Sequence, residues 1–150
     1  MAHPYLALRP NRNVLVSHYV VAGSKNPLPL GMGSVNVRKL LFTELDECEK
    51  YDGIWACASI LHLPKEELKS VFRKMLLAVK VGGYIYTSFK YGRFEGYRNE
   101  RYFTDFTEDS FGDFISDITE IRIVEKWITS DVRPGRGYEQ WLNLILKKSD

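Results

Sequence analysis

Apolar positions along this chain follow two regimes that meet near Gly31 to Ser34. Before that boundary, Pro4, Pro10, Pro27 and Pro29 break the pattern, leaving room for one strand, Val14 to Val21, and no amphipathic helix. Beyond it the pattern is regular. Val35 to Phe42 reads as a strand, Asp46 to Lys50 as a polar connection and Tyr51 to Ile60 as a second strand. The run Ile54 to Leu61 is apolar without alternation, which suits a strand covered on both faces in a parallel sheet. Pro64 stands where a helix opens, and Glu66 and Glu67 fall in its first turn, where the helix dipole favours negative charge. Leu68, Val71, Phe72, Met75, Leu76 and Val79 then recur at three- and four-residue steps as one apolar stripe, which Gly82 and Gly83 end.

Tyr84 to Phe89 is the next strand, so strand, helix and strand follow in the order of a crossover between parallel neighbours. A long polar and aromatic connection, Lys90 to Phe106, leads to a helix capped by Thr107, with Phe111, Phe114, Ile115 and Ile118 on one side. Ile121 to Ile128 and Trp141 to Leu146 read as a terminal antiparallel pair, joined through the Pro- and Gly-containing segment Asp131 to Gly137. The expectation is an α/β fold, mostly parallel, closed by an antiparallel strand pair. It divides at the change of pattern into an atypical N-terminal segment, 1–34, and a regular part, 35–150.

Composition narrows the function more than the fold. The chain has 150 residues, 45% hydrophobic and 27% charged, so it is expected to build one core. Its net charge of +2 is too small to draw in nucleic acid or a membrane surface by field alone. No segment approaches the roughly 20 apolar residues of a membrane span, and the two cysteines read as reduced thiols, so a cytoplasmic protein is expected. His3, His18 and His62 share no ligand-like spacing with each other or with the cysteines, and no metal site is expected.

Specific motifs then carry a resemblance. Tyr51 to His62 resembles the fourth strand of class I S-adenosylmethionine-dependent methyltransferases, and Lys80-Val81-Gly82-Gly83-Tyr84 resembles the turn into their fifth. Phe42 to Asp46 is similar to the end of their third strand, and the closing pair to their sixth and seventh. Within the superfamily, Tyr102-Phe103-Thr104-Asp105 and Asp131 to Gly137 look most like the bacterial small-molecule, tellurite-resistance-type branch. The resemblance implies an incomplete Rossmann-like sheet. It also implies S-adenosylmethionine as cofactor and a small-molecule acceptor, without nucleic-acid or membrane partners.

Ligands of open α/β sheets bind outside the carboxyl ends of the strands, which picks out the residues just after each strand. By resemblance, Glu44 and Leu45 lie near the adenine, Ala58 and Ser59 border the methionine side, and Lys90 and Tyr91 face the acceptor. Glu44 and Leu45 read equally as an ordinary exposed loop. His62 is the candidate proton acceptor, since its reference pKa of about 6.5 lies near working pH; the alternative is a helix-entry histidine bonded to backbone. The Lys90 to Phe103 stretch mixes bases and rings and reads as a substrate lid, a structural loop or a stacking platform for single strands, the last opposed by Glu95, Glu100 and Asp105. Arg133 and Arg136 form either a clamp for an anionic substrate or a solvated hairpin tip.

The family's glycine-rich cofactor loop has no counterpart here. Gly31-Met32-Gly33 follows two prolines and leads into a strand instead of a helix, and Ala22-Gly23-Ser24-Lys25 lacks the acid that holds the ribose. A first strand belongs beside the fourth, and Val14 to Val21 is expected to fill that slot; left bare, the sheet edge invites self-association. The change near Gly31 suggests a shifted frame or displaced start upstream of an originally complete domain. Two functions stay open. One is a methyltransferase truncated or impaired in cofactor binding, and the other a non-catalytic remnant or interaction subunit on the same scaffold.

Overall fold

The computed structural model describes residues 14–16 and 42–150. Strand β1, Val14–Val16, pairs parallel with β2, Tyr51–Ala56, matching Leu15 to Ile54. The expected N-terminal strand therefore does sit beside β2; residues 17–21, the Gly31 to Ser34 boundary and 35–41 of the expected next strand lie outside the described residues. Phe42–Glu44 forms a 3₁₀ turn instead of ending a strand.

Helix α1, Lys65–Ala78, connects β2 to the parallel strand β3, Val79–Lys90. It starts at Pro64 as expected but stops well before the glycines. Val79 is already extended, and the N–H groups of Glu49 and Lys50 donate to the Leu77 and Ala78 carbonyls at 2.7 and 2.9 Å. The polar connection before β2 thus caps the helix that follows it, satisfying carbonyls that a helix end leaves open. The glycines serve the sheet instead. Tyr51 pairs with Val79 but Gly53 pairs with Tyr84, so residues 80–83 bulge out of β3. Gly82 takes φ +78°, and a Cβ on Gly83 would sit 2.8 Å from the Asp52 carbonyl, closer than any side chain tolerates.

Strand β2 ends at Ala56, earlier than the apolar run suggests, because Ala58 turns into the left-handed region at φ 46° and residues Ile60–His62 coil into a second 3₁₀ turn. Nor is β2 covered on both faces: Ile54 and Ala56 are buried, while Trp55 is 37% exposed and stacks on Tyr86 at 4.0 Å.

The Lys90 to Phe106 connection is ordered as a hairpin, β4, Glu95–Arg98, against β5, Arg101–Thr104. Its two-residue turn places Asn99 and Glu100 both at positive φ, the twist that hairpins prefer. Helix α2, Glu108–Ile115, opens with a reciprocal cap: Thr107 Oγ1 accepts from the Ser110 N–H, and Ser110 Oγ accepts from the Thr107 N–H. Strands β6, Ile121–Ser130, and β7, Gln140–Lys148, form the expected antiparallel pair, and β7 lies antiparallel to β3. The described sheet runs β1-β2-β3-β7-β6, an α/β fold with a mixed sheet.

Both helices bury aromatic residues against β3. Phe72, Phe89, Phe106 and Phe111 are fully buried, and Phe106 contacts the rings of Phe89 and Phe111 at 4.9 and 5.3 Å between centroids. Each such ring stabilises the fold by about 1.5–3 kcal/mol through burial, with about 0.5–1.5 kcal/mol more from edge-to-face pairing. Phe111→Ala is expected to lower unfolding stability by about 3–5 kcal/mol in urea titration. Tyr97→Ala, at a ring 74% exposed, should stay within about 0.5 kcal/mol of the parent.

Candidate functional site

A cleft of about 860 Å³ opens beyond the carboxyl ends of β2 and β3, between the β4–β5 hairpin and the turn joining β6 to β7. His62 and Phe103 line it on one side, Lys90 and Tyr91 at its base, and Arg133 and Arg136 on the other side. Its position follows from topology, since strand ends and the loops after them are where an open sheet leaves backbone free to meet a ligand.

The hairpin is fastened to the loop after β2. Thr104 Oγ1 donates to the Leu63 carbonyl at 2.7 Å, Lys65 N–H donates to Glu95 Oε1 at 3.1 Å, and His62 Nδ1 lies 2.8 Å from the Tyr102 carbonyl. A carbonyl accepts only, so Nδ1 carries the proton and Nε2 is the ring's accepting nitrogen. Burial, with a smaller contribution from Arg101, lowers the His62 pKa, so the ring is neutral near pH 7. Its edge meets Phe103 at 4.7 Å. His62 is thus bonded to backbone, and its ring also lines the cleft.

Asp131 organises the opposite wall. Its Oδ1 accepts the N–H and Nε of Arg133, both at 2.9 Å, while Oδ2 accepts Arg133 Nη2 and, at 3.1 Å, Trp141 Nε1. These donors, Arg133 foremost, hold its carboxyl well below the usual carboxylate range. Lys90 pairs with Glu139 and approaches Asp131 Oδ2 at 3.8 Å. Burial first, and then Arg133, hold Lys90 below the ordinary lysine range. On the hairpin, Arg98 makes a two-point pair with Asp105 at 3.0 and 2.6 Å and lies over the Phe94 ring at 4.1 Å.

The structure thus brings His62, Lys90, Tyr91 and Arg133 to one cleft, with Lys90 and Arg133 engaged by acids. The residues assigned by resemblance to the cofactor lie elsewhere. Glu44 is exposed on the first 3₁₀ turn, Ser59 is buried, and Ala58 is partly exposed with its N–H donated to Ser88 Oγ at 2.8 Å. Leu45 is 3% exposed, its side chain packed in the core. Cys57, inside the apolar run, is exposed, as is Cys48. Asp131 and Glu139 were not apparent as site residues in the sequence. The Asp131-x-Arg133 spacing, an aspartate accepting from the N–H two residues on, was the one local signal for the former.

No protein-family model matches this chain, and no curated protein matches its sequence. Solved structures do match in fold. The Burkholderia thailandensis 1,6-didemethyltoxoflavin-N1-methyltransferase, with bound 1,6-didemethyltoxoflavin and S-adenosylhomocysteine, superposes with TM-score 0.61 at 18% identity over 73% of this chain and 48% of its own. A SAM-dependent methyltransferase from Methanosarcina mazei gives 0.59 at 13% identity over 73% of this chain and 65% of its own. The chain has a Rossmann-like methyltransferase fold. The [4+2]-cyclase SpnF also shares it, with TM-score 0.57 at 12% identity over 75% of this chain and 55% of its own. At such identities the likeness establishes architecture, and the chain spans about half to two-thirds of the length of these proteins.

Two outcomes check the site. Because the Asp131 pKa is lowered on folding, its contribution to stability is complete above the unfolded value of about 3.9 and is lost as pH falls toward the folded one. The stability gap between the parent and Asp131→Asn, read by denaturant titration, should therefore shrink progressively below about pH 4. Nitrogen NMR of the imidazole should find the His62 pKa below about 6.5, with the Nδ1–H tautomer dominant above it.

Proposed function

We propose that this chain carries the acceptor side of a SAM-dependent methyltransferase domain acting on a small molecule, with cofactor binding weakened relative to a complete domain. The observation that supports this most directly is the cleft itself. It lies beyond the carboxyl ends of β2 and β3 and is of the size that encloses a small ligand. Architecture alone does not choose the reaction, as the cyclase on the same fold makes plain.

The described residues fit the cofactor in part. Ala58 and Ser59 keep the turn after β2 small, and Ala58 is held in a left-handed conformation that costs about 1–2 kcal/mol, a strain that structures tend to retain at functional sites. Glu44 offers an exposed carboxylate, whereas Leu45 is withdrawn into the core. When bound, S-adenosylmethionine would supply a methyl group on a cationic sulfur. The chain's own share is positioning and exclusion of water. The hairpin closes one side of the cleft, Tyr91 and Phe103 bring rings into its lining, and His62 Nε2 can take a proton from an acceptor hydroxyl or amine.

The buried Leu45 and the neutralised Lys90 favour the second reading, a scaffold that has lost cofactor binding. Calorimetric titration of the folded chain with S-adenosylhomocysteine separates the two. Saturable binding is expected, weakened about tenfold, or roughly 1.4 kcal/mol, by Glu44→Ala. No heat of binding from a chain that unfolds cooperatively would establish the scaffold instead.

A further inference from the structure

Helix α1 begins without a local side chain to cap it. Pro64 stands at its N-cap position, where a serine or aspartate would accept from a first-turn N–H, and proline has no group to do so. The acceptor comes instead from another element. Glu95 of β4 takes the Lys65 N–H on Oε1 at 3.1 Å and pairs with Lys65 Nζ through Oε2 at 3.5 Å, a carboxylate at the helix end that favours negative charge. Its cross-strand partner in the hairpin is Thr104. Thr104 is fully buried, and its hydroxyl donates to the Leu63 carbonyl at 2.7 Å. One rung of the β4–β5 hairpin therefore holds residues 63–65 from both strands.

The consequence falls on His62, the residue before Leu63. Two positions before Thr104 on β5, the Tyr102 carbonyl lies 2.8 Å from His62 Nδ1. The Thr104 and Tyr102 bonds run side by side between β5 and the segment after β2, so displacing one displaces the other. Glu95 Oε1 braces the same arrangement by accepting the Tyr102 hydroxyl at 3.2 Å. Between them in sequence, Phe103 meets the imidazole edge to face at 4.7 Å. The geometry matters chemically because a histidine ring in water favours the opposite tautomer, with its proton on Nε2. Here the carbonyl claims a proton on Nδ1, which leaves the lone pair on Nε2.

We propose that Thr104 and Glu95 are positioning residues for His62: their rung of the hairpin holds the Tyr102 carbonyl on Nδ1 and thereby fixes which ring nitrogen can act as a base in the cleft. The proposal rests on the acceptor-site reading above and supplies the means by which that site keeps its base in one tautomer. Neither Thr104 nor Glu95 is among the residues that line the cleft, so both act through His62. A hairpin with a structural role alone would leave the imidazole tautomer indifferent to the loss of one hydroxyl.

The test is nitrogen NMR of the imidazole in the folded full chain at about pH 8, above the ordinary histidine pKa of about 6.5, with the His62 signals assigned by their loss in His62→Gln. Thr104→Val removes the hydroxyl and keeps the shape of the side chain. It should lower the ratio of the Nδ1–H to the Nε2–H tautomer by about fivefold, the factor that one ordinary hydrogen bond is worth. Thr104→Ser should restore the parent ratio. Glu95→Ala, at an exposed position, should move the ratio in the same direction, and it decides the matter if Thr104→Val does not unfold cooperatively. A parent chain with its proton on Nε2, or a ratio that neither substitution moves in a folded chain, would overturn the proposal. Titration with S-adenosylhomocysteine is read separately. A shifted ratio without cofactor binding leaves the positioning role standing and removes the methyl-transfer reading, and cofactor binding with an unmoved ratio does the reverse.

Discussion

Everything in this molecule is arranged around β3, the strand on which the sheet changes direction. On one side it pairs parallel with β2, which forces a helical crossover, and on the other it pairs antiparallel with β7, which returns from β6. Phe89 near its carboxyl end is fully buried among rings from the segments around α2. Lys90, the next residue and the last of the strand, already lines the cleft. The core and the candidate site are therefore consecutive positions of one strand, and the packing that stabilises the first fixes the place of the second.

The cleft walls come from segments far apart in sequence, and each is braced by its own charge pair. Asp105 fixes Arg98 on the hairpin, and Asp131 fixes Arg133 on the turn after β6. Exposed pairs of this kind contribute little, but here the carboxylates are buried and each makes more than one bond, so geometry is set as well as energy. Asp131 and Glu139 likewise explain why Arg133 and Lys90, chosen from the sequence as ligand contacts, are partly committed to the protein. What they offer a ligand is an oriented field more than a free charge.

Much of the fold was legible in the chain. The stripes of α1 and α2, the Thr107 cap and the terminal strand pair all follow local rules of periodicity and capping, and the structure reproduces them apart from Val79 and Ile118, which fall just beyond the helix ends. The errors have separate physical origins. The Gly82-Gly83 pair looked like a helix stop but serves a bulge imposed by the register of β2 on β3, and the helix is ended instead by carbonyl caps from 49–50. The Lys90 to Phe106 connection reads as a loop because its hairpin turn, Asn99-Glu100, lacks the glycine that usually marks one.

Sequence alone determined most helices and strands of the regular part and that candidate ligand contacts would gather at the strand ends, because periodicity and the polarity of parallel strands are local consequences of residue order. Only the tertiary structure decided which side chains remain available there. Leu45 was withdrawn into the core, and His62 was given its tautomer by a carbonyl forty residues on. Asp131 became the centre of a wall, a role set by which strands lie side by side, and that pairing follows from packing between segments distant along the chain.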